Sequence, residues 1–328
     1  MGRREPHDRS DGGRVVVPYR EGARGLTEAD ELVALIVNYN SSDDLLDCVA
    51  SMAGSSVDRV LILDNASVGS ELDKLSVLRG DPRFHVLRSE RNTGFGAGVN
   101  ALVEALDELT HAGCDPYLWI VNPDCVNAPR AAELLRGALD AGEADVVFPI
   151  ISDGTGERVW FAGGAVDWKR GQTTHRFFDE PLRNVPVDRV TSMFVCGANF
   201  MVRRSAWERV GKYDESLFLY WEDADWSERA LRAGLRLSLV PTALAMHAQG
   251  GSSGGKTSPT YYYYAHRNRL VLGERYGANR WSTAFGFGLV ETVRLLLRPL
   301  AHGQWRSARA SVAGLLAGLR LQSGQRGG

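Results

Sequence analysis

Three carboxylates stand among aromatic residues in the stretch "FLYWEDADW", residues 218–226. Glu222, Asp223 and Asp225 are costly in such an apolar setting unless they are paired or take part in chemistry. Asp225 followed by Glu228 is typical of a helix N-cap with its capping-box partner, which accounts for one acid. Glu222 and Asp223 are then either first-turn carboxylates favoured by the helix dipole or the acids of a catalytic site.

A second candidate group is Asp124 in "WIVNPDC", directly after an apolar run that predicts a buried strand. One carboxylate together with the phosphates of a nucleotide is a typical way of binding Mg²⁺ or Mn²⁺, which take few protein ligands. His247, in "MHAQGGSSGG", is a candidate second ligand because imidazole suits Mn²⁺ better than Mg²⁺. The alternatives are a plain turn residue for Asp124 and a hydrogen-bonded surface residue for His247.

The glycine-rich stretch "NTGFGAG" follows a predicted strand and opens a predicted helix. Backbone N–H groups and the helix dipole can face a phosphate at such a place. Val99 stands where the dinucleotide fingerprint needs its third glycine, so an NAD site is disfavoured. The alternative is that the glycines only permit a tight turn between strand and helix.

The composition bounds the class of protein. Of 328 residues, 44% are hydrophobic and 24% are charged, which is ordinary for a soluble globular protein. The net charge of -2 gives no general footprint for nucleic acid. The four scattered cysteines predict reduced thiols in a cytoplasmic protein. No apolar run is long enough to span a bilayer, and residues 1–30 predict a flexible arm without the apolar core of a secretory signal.

The chemistry-bearing residues follow a repeated pattern of strand and helix. The segments "LVALIVNYN", "VDRVLILDNAS", "RFHVLRSE" and "PYLWIVNPDC" each read as a buried strand with a polar end, and helical patterns separate them. We therefore expect an α/β fold whose parallel sheet is covered by helices, with ligands in the crevice at the carboxyl ends of the strands. Polar residues gather at those ends: Asn38, Asn40, Asp64, Asn65, Asn92, Asn122 and Asp124.

The second half changes character and predicts an acceptor-side extension of the same sheet. Beyond it, residues 281–321 combine apolar residues with five arginines, which are Arg294, Arg298, Arg306, Arg309 and Arg320. A basic amphipathic segment of this kind suits a membrane surface. Packing against the core is an equally good interpretation, and the sequence does not separate the two.

Six motifs, taken in order, carry a resemblance to a known family. They are "IVNYNSSDDLLDCVASM", "VLILDNAS", "RNTGFGAGVN", "WIVNPDC", "CGANFMVRRSAWERVGKYDESLFLYWEDADWSERALRAGLRL" and "MHAQGG". Over residues 32–275 the chain resembles the inverting family 2 nucleotide-sugar glycosyltransferases, and within them the rhamnosyltransferase-like branch. The resemblance implies a GT-A fold, a Rossmann-like nucleotide-binding sheet with helices on both faces. The implied organisation is a glycosyltransferase domain at 31–275, with a nucleotide-binding half at 31–150 and an acceptor-side half at 151–275, and a helical extension at 276–328.

The resemblance also implies roles for single residues. Asp223 would be the general base and Glu222 its neighbour, while Asp124 and His247 would hold the metal. "NPD" stands for the acidic D-x-D motif of the family, so Asn122 replaces its first acid. The residues implied to bind the nucleotide sugar are Asn40, Asp64, Asn65, Asn92, Gly94, Phe95, Asn122 and Asp124. Those implied to line the sugar or acceptor pocket are Cys196, Gly197, Trp221 and Trp226, and those implied to contact phosphate are Arg267 and Arg269.

The predicted function is metal-dependent transfer of a sugar, by resemblance rhamnose, from a dTDP or UDP donor to an acceptor hydroxyl. The acceptor is a polyprenyl-linked glycan or a small secondary metabolite, and Mg²⁺ or Mn²⁺ is the expected cofactor. We expect a cytoplasmic protein, with peripheral contact to the inner face of the membrane if the C-terminal segment binds lipid. Two other classes stay open at this point: a sugar-phosphate nucleotidyltransferase, and a non-catalytic carbohydrate-binding scaffold of the same fold.

Overall fold

Four apolar segments form the parallel strands that the sequence predicts. The computed structural model describes residues 30–110, 113–188, 190–247, 258–277 and 279–326. The first strand is buried along its whole length, and the second and fourth are buried almost throughout. The strands are β1 Leu32–Asn38, β2 Arg59–Asp64, β3 Phe84–Arg88, β4 Tyr117–Val121, β5 Cys125–Asn127, β6 Val146–Ser152, β7 Val159–Phe161, β8 Gly164–Asp167, β9 Gln172–His175, β10 Val190–Ser192, β11 Asn199–Arg203 and β12 Leu237–His247.

Helices connect the parallel strands and cover the sheet. The helices that cover the sheet turn an apolar face to it, as in α4, where three alanines and two leucines are buried. The helices are α1 Ser42–Ser51, α2 Glu71–Lys74, α3 Phe95–Asp107, α4 Ala131–Asp140, α5 Arg204–Val210, α6 Glu222–Arg232, α7 Pro259–Arg275, α8 Arg280–Phe285, α9 Leu289–Ala301 and α10 Trp305–Leu319.

The main sheet has the order β10-β12-β6-β11-β4-β1-β2-β3, with β5 paired to β12 and β7 paired to β6. The four strands β3, β2, β1 and β4 are parallel to one another. Asn38 lies beside Asp64, and Asp64 lies beside Arg88, so the polar strand ends meet at one edge. The expected α/β fold with a nucleotide-binding type of sheet is therefore confirmed.

The second half of the chain extends this sheet. Strand β11 runs antiparallel between β4 and β6, and it brings Asn199 beside Val121 at the carboxyl end of β4. Strand β12 runs parallel to β6, and its last residue, His247, pairs with Cys125 of β5. Residues that are more than 70 positions apart in sequence thus reach the same edge as the first four strands.

The C-terminal helices pack on α7 and leave one side exposed. Two glycines of α10 allow a close approach, since a Cβ on Gly314 would lie 2.3 Å from the carbonyl oxygen of Tyr263, and one on Gly318 would lie 2.9 Å from that of Arg267. Within the described ranges, no helix combines the length and apolar character that crossing a membrane requires. The predicted arm, residues 1–30, lies outside the described residues except for Asp30, and so do residues 248–257, which follow His247.

One local prediction is wrong. Helix α6 begins at Glu222, and its N-cap position is held by Trp221 without a side-chain cap, so Asp225 lies inside the helix. The capping-box spacing from Asp225 to Glu228 arises because both residues lie on consecutive turns of a helix that starts one turn earlier. The four acidic residues Glu222, Asp223, Asp225 and Glu228 therefore lie in the first two turns of α6. Glu222 and Asp223 are the two candidate catalytic acids.

Candidate active site

The carboxylate of Asp223 is held at the edge of the sheet by backbone groups. Its Oδ2 accepts a hydrogen bond of 3.1 Å from the N–H of Gly197, and its Oδ1 accepts one of 2.8 Å from the N–H of Ala224. Burial raises the pKa of Asp223, and these two donors oppose the rise. A Cβ on Gly197 would lie 3.2 Å from the ring of Phe95 and 3.4 Å from the Cβ of Asp223, so the glycine permits a tight junction.

Glu222 occupies a different environment from its neighbour. The residue is 6% exposed, its Cβ faces Gly96 at 3.6 Å from an ideal Cβ there, and its Oε2 has no hydrogen-bond partner among the described residues. Burial, together with the adjacent charge of Asp223, raises the pKa of Glu222 to about 8. The backbone donors to Asp223 favour its charged form, whereas burial and the neighbouring carboxylate favour the neutral form of Glu222.

Asp225 is the structural acid of the three. It is fully buried and accepts hydrogen bonds from Arg229 at 2.9 Å, Arg275 at 2.8 Å and the hydroxyl of Tyr276 at 2.6 Å. These partners tie α6 to the end of α7. Two guanidinium groups and a phenol hydroxyl compensate the charge of Asp225. Its burial is therefore explained by these contacts, without a catalytic role.

Asp124 and His247 form the candidate metal site. Their closest atoms, Oδ1 and Nε2, are 3.3 Å apart, and burial raises the pKa of Asp124 while the imidazole opposes the rise. The ring of His247 stacks on Trp160, with centroids 4.4 Å apart and planes 4° from parallel. A carboxylate oxygen and an imidazole nitrogen at this separation fit a small divalent cation such as Mn²⁺.

Cys125 completes the same cluster of ligand-type residues but does not fit a hard cation. Its Sγ lies within 4.8 Å of the other two ligand atoms and is fully buried, and it donates to the carbonyl oxygen of Ala198 at 3.5 Å. Burial raises the pKa of this thiol well above its usual range, so it stays protonated. The metal-ligand set predicted from the sequence, Asp124 and His247, is therefore the set that the chemistry of the donors favours.

The carboxylate of Asp223 and the metal pair share one edge of the sheet. The N–H of Asn122 donates to the carbonyl oxygen of Ala198 at 2.8 Å, next to the N–H of Gly197 that binds Asp223. Asn122 is two residues before Asp124. A single short segment ahead of β11 thus connects the two candidate centres.

The ends of β1 and β2 form the predicted nucleoside side. Asp64 is fully buried, and its Oδ1 lies 3.5 Å from the amide nitrogen of Asn38. Its Oδ2, like the Oδ1 of Asn38, accepts no hydrogen bond within the described part of the chain. Buried acceptors of this kind fit donors on a ligand, such as base N–H or ribose hydroxyl groups. The Oδ1 of Asn40 accepts from the N–H of Val68 at 2.9 Å, which fixes the neighbouring turn.

The side chain of Asn65, which was predicted to contact the nucleotide, is instead hydrogen-bonded within the protein. Its Oδ1 accepts from the N–H and the hydroxyl of Thr93, and its Nδ2 donates to Asn92 Oδ1 and to the carbonyl of Gly94, all between 3.0 and 3.2 Å. An amide has two donor and two acceptor positions, and all four are used. The side chain of Asn65 therefore shapes the 92–94 loop.

In the glycine-rich turn, one of the backbone N–H groups that could bind a phosphate is already hydrogen-bonded within the protein. The first helical N–H of α3, on Phe95, donates to the carbonyl oxygen of Phe218 at 3.1 Å. Gly94 has φ +91°, and a Cβ there would lie 2.0 Å from the same oxygen. Gly94 is required at this position because it supplies a left-handed backbone and leaves room for the loop that leads into α6.

Two predicted pocket residues differ in their surroundings. Trp221 is half-buried and its ring centroid lies 6.1 Å from that of Trp168, at the entrance to α6. Trp226 is fully buried, stacks on Trp207 and donates from its indole N–H to the carbonyl of Gly211 at 3.1 Å. The prediction of a sugar contact for Trp226 is therefore wrong, because its ring belongs to the core, whereas Trp221, Cys196 and Gly197 stay candidates.

The predicted phosphate contacts of Arg267 and Arg269 are also corrected. Each side chain is 1% exposed. Arg269 donates to the carbonyls of Gly171, Arg170, Thr283 and Gly288 and to the hydroxyl of Thr292. Arg267 donates to the carbonyls of Ser216, Leu217 and Gly324. Neither guanidinium is solvated or free for a ligand, because backbone carbonyls take up their donors.

Trp160 is the residue of this site that sequence reasoning missed. The motif "RVWFAGG" that contains it shows only a short apolar run with glycines, and nothing local relates it to His247, 87 positions later. The stacking arises because β7 and β12 both pair with β6. A neutral aromatic plane against the imidazole restricts the ring to one orientation while leaving its nitrogens at the edges.

Comparison with known proteins gives three similarities. The model of the family described as "Glycosyl transferase family 2" matches residues 33–211, more than half of the chain. The N-acetylglucosaminyl-diphospho-decaprenol L-rhamnosyltransferase of Mycobacterium tuberculosis is 28% identical over 263 residues, or 74% of this chain and 83% of that protein. The low-salt glycan biosynthesis hexosyltransferase Agl10 of Haloferax volcanii is 25% identical over 256 residues, or 75% and 76%.

The fold has solved counterparts. The crystal structure of GalNAc-T7 with UDP, GalNAc and Mn²⁺ has a TM-score of 0.56 and 17% sequence identity over 83% of this chain. The match spans 56% of that chain, a little over half of its length. At this identity the likeness concerns the fold, and it confirms the GT-A architecture expected from the motifs.

We predict that Glu222→Gln stabilises the protein increasingly as the pH rises. With a folded-state pKa of about 8 against an ordinary 4.5, the glutamic acid contributes its full stability below about pH 4.5 and loses it as the pH rises through 8. Glutamine does not titrate, so the unfolding free energy of the variant relative to wild type should rise by at least about 1 kcal/mol between pH 5 and 8.5.

Denaturant unfolding at pH 5, 7 and 8.5 measures this difference, with Glu90→Gln as the control at an exposed carboxylate. A difference between Glu222→Gln and wild type that stays constant with pH would show that Glu222 is ionised in the folded state.

Proposed function

The chain belongs to glycosyl transferase family 2, and on that premise we propose that it is an inverting, metal-dependent glycosyltransferase using a nucleoside diphosphate sugar. The family match covers residues 33–211. One observation carries the proposal. The N–H of Gly197 binds the Asp223 carboxylate, and the carbonyl of the next residue, Ala198, accepts the N–H of Asn122 in the candidate metal segment. A base and a phosphate-binding cation at one sheet edge are what such a transfer requires.

Asp223 is the proposed general base. In an inverting transfer the acceptor hydroxyl attacks the anomeric carbon from the face opposite the leaving diphosphate, so its proton must pass to a group on the acceptor side. Asp223 is partly exposed, and two backbone N–H donors favour its charged form, whereas Glu222 is buried and burial raises its pKa to about 8. The Gly197 and Ala224 N–H groups fix the carboxylate so that one orientation is presented to the hydroxyl.

Asp124 and His247 are the proposed ligands of Mg²⁺ or Mn²⁺. When bound, such an ion supplies positive charge that stabilises the departing diphosphate. The carboxylate of Asp124 lies at the end of β4, and stacking on Trp160 orients the imidazole of His247. At the neighbouring strand ends, the unsatisfied acceptors of Asp64 and Asn38 are the proposed contacts of base and ribose.

For the donor we propose a dTDP- or UDP-linked sugar, with rhamnose favoured. The support is the resemblance of the motifs and the similarity to the Mycobacterium tuberculosis rhamnosyltransferase. The name of that relative also specifies a lipid-diphosphate acceptor, N-acetylglucosaminyl-diphospho-decaprenol. We therefore favour a polyprenyl-linked glycan over a soluble metabolite as the acceptor.

The C-terminal helices supply a surface that suits a lipid-linked acceptor. Of the large apolar side chains that the described residues expose, most lie between Trp281 and Leu321. On α9 the exposed residues Val290, Val293, Leu297 and Leu300 follow one face at helical spacing. Residues 276–328 contain seven arginines and one glutamate, a net charge of +6, whereas the whole chain carries -2 and the remainder therefore -8. We propose that this surface rests on the anionic inner face of a cytoplasmic membrane.

Replacing Asp223 with Asn should abolish transfer and preserve donor binding. Asparagine keeps one oxygen that accepts from the N–H of Gly197 and gives up the bond from the N–H of Ala224, so the side chain stays attached to Gly197 while the base is lost, and the rate should fall by about 10²–10⁴-fold. Release of dTDP or UDP from the matching donor, with polyprenyl-diphospho-N-acetylglucosamine as acceptor, measures the rate. Asp145→Asn, before β6 at the opposite edge, is the control. An equal loss of donor affinity in Asp223→Asn would remove Asp223 from the role of base.

Replacing Asp124 with Ala should remove the metal dependence of nucleotide binding. Calorimetric titration with UDP, dTDP and GDP, each with Mn²⁺ and with EDTA, identifies the nucleotide that wild type binds. In the variant its affinity with Mn²⁺ should fall by at least about tenfold and become equal to that with EDTA. Cys125→Ala is the matched control, because its thiol is buried and protonated. A metal-dependent gain that survives in Asp124→Ala would contradict the assignment.

Introducing acids on α9 should release the protein from lipid. Sedimentation with phosphatidylglycerol vesicles should be strong at low salt, weak with phosphatidylcholine alone, and reduced at least about tenfold in a Val293→Asp, Leu297→Asp double variant. Val68→Asp with Val77→Asp changes two equally exposed valines on the nucleotide side and is the control. Equal sedimentation of the double variant and wild type would overturn the membrane contact.

A further inference from the structure

The segment that leads into the candidate base has an unusual backbone. Phe218, Tyr220 and Trp221 have φ angles of 63°, 64° and 77°, in the left-handed region that bulky residues rarely adopt. The strain falls directly before Glu222, the first residue of α6. Three such residues within four positions persist only where the surrounding structure holds the segment in place.

Helix α7 provides that restraint through two consecutive buried side chains. The Nδ2 of Asn268 donates to the carbonyl oxygens of Leu217 and Leu219 at 3.0 Å each and of Tyr220 at 2.7 Å. The Nη2 of Arg267 donates to the carbonyls of Ser216 at 3.1 Å and Leu217 at 2.7 Å. Four of the five carbonyl groups in residues 216–220 thus accept hydrogen bonds from donors of one helix.

Aromatic rings of α7 hold the side chains of the same segment. The ring of Phe218 packs on Tyr264, with centroids 4.9 Å apart, and Arg267 lies 4.8 Å above the ring of Tyr264. The ring of Tyr220 meets Tyr261 edge to face at 5.2 Å. The motif "TYYYYAHRN" therefore contacts the segment through both its rings and its amide and guanidinium groups.

The opposite side of the segment touches the nucleotide half of the protein. The carbonyl oxygen of Phe218 accepts from the N–H of Phe95 at 3.1 Å, and Gly94 leaves room for it. The segment lies between the first turn of α3 and the middle of α7. Its conformation determines where α6 begins, and so where the Asp223 carboxylate stands relative to Gly197.

We propose that Asn268 and Arg267 are positioning residues that clamp residues 216–221 and thereby set the place of the Asp223 carboxylate. The proposal rests on the proposed role of Asp223 as the base. Neither side chain touches substrate, and the clamp acts on the reaction only through the backbone of the segment. Loss of Asn268 removes the donor to the carbonyls of Leu219 and Tyr220 and leaves that of Leu217 to Arg267 alone, which lets the strained residues relax toward ordinary φ angles.

Amide hydrogen exchange on the full-length protein tests the clamp without any ligand. In Asn268→Ala we expect exchange of the peptide covering residues 216–223 to rise by at least about tenfold, while strands β1 and β4 keep their wild-type rates. Arg269→Lys is the matched control, since Arg269 is the next residue of α7, equally buried, and bonded to other segments. It should lower the unfolding temperature yet leave exchange of residues 216–223 unchanged.

Kinetics on the same variant test the positioning. With the donor that wild type turns over, kcat of Asn268→Ala should fall by about 10–100-fold, because small displacements of a catalytic group are costly. The dissociation constant of the nucleoside diphosphate should stay within about twofold of wild type, since the donor side is untouched. Should Asn268→Ala fail to fold, Arg267→Lys, which keeps the charge and loses part of the fork of donors, carries the same predictions with smaller changes.

The outcomes separate the clamp from the function. Unchanged exchange of residues 216–223 in both variants overturns the clamp, and raised exchange with unchanged kcat overturns the positioning role. If the wild-type protein transfers sugar from none of the dTDP and UDP donors, the proposed function fails, and the exchange experiment still decides whether α7 holds the segment.

Discussion

The hydrogen bond from the N–H of Gly197 to Asp223 is the contact on which the arrangement of the site depends. Gly197 lies two residues before the start of β11. The carbonyl of the residue that follows it, Ala198, accepts a hydrogen bond from the N–H of Asn122. Helix α6 and the segment after β4 are thereby attached to adjacent residues of one short segment, 197–198. Because this segment leads directly into the buried strand β11, it holds the candidate base and the candidate metal segment in a fixed relation. A Cβ at position 197 would lie 3.2 Å from the ring of Phe95 and 3.4 Å from the Cβ of Asp223, so a larger residue would have to displace the Phe95 ring.

The three acids of α6 show how burial gives equal carboxyls unequal properties. Two arginines and a tyrosine donate to Asp225 and two N–H groups donate to Asp223, whereas the Oε2 of Glu222 has no donor among the described residues. This order explains why Asp225 ties two helices together, why donors favour the charged form of Asp223, and why the pKa of Glu222 rises to about 8. The cost of burying Glu222 uncharged is small, whereas a second unpaired charge beside Asp223 would be expensive.

The C-terminal helices have two different surfaces. A few buried polar side chains of α7, such as Asn268, donate to carbonyl oxygens of a neighbouring loop. Helix α10 packs closely on α7 at Gly314 and Gly318. The outer surface of α9 is apolar and is flanked by Arg294 and Arg298, with its one acid, Glu291, turned inward. Aliphatic residues on both faces of one helix are expected where each face meets its own apolar environment. The same extension therefore packs on α7 with one surface and exposes apolar residues on the other, the surface for which we propose membrane contact.

Local patterns determined much of this protein. The apolar runs with polar ends predicted β1 to β4 and their common edge, because strand burial is a property of short segments. Residue chemistry singled out Asp124 and His247 as candidate metal ligands, and the resemblance of the motifs implied the roles of Asp64 and Asp223. Tertiary structure decided which polar groups are already occupied. Asn65 is saturated by Thr93 and Asn92, Trp226 stacks in the core, and Arg267 and Arg269 bind backbone carbonyls. The partners of these side chains lie as many as 99 positions away in the chain. A hydrogen-bonding group looks the same in a sequence whether it awaits a ligand or is satisfied by a distant carbonyl, and only the folded chain brings that carbonyl within reach.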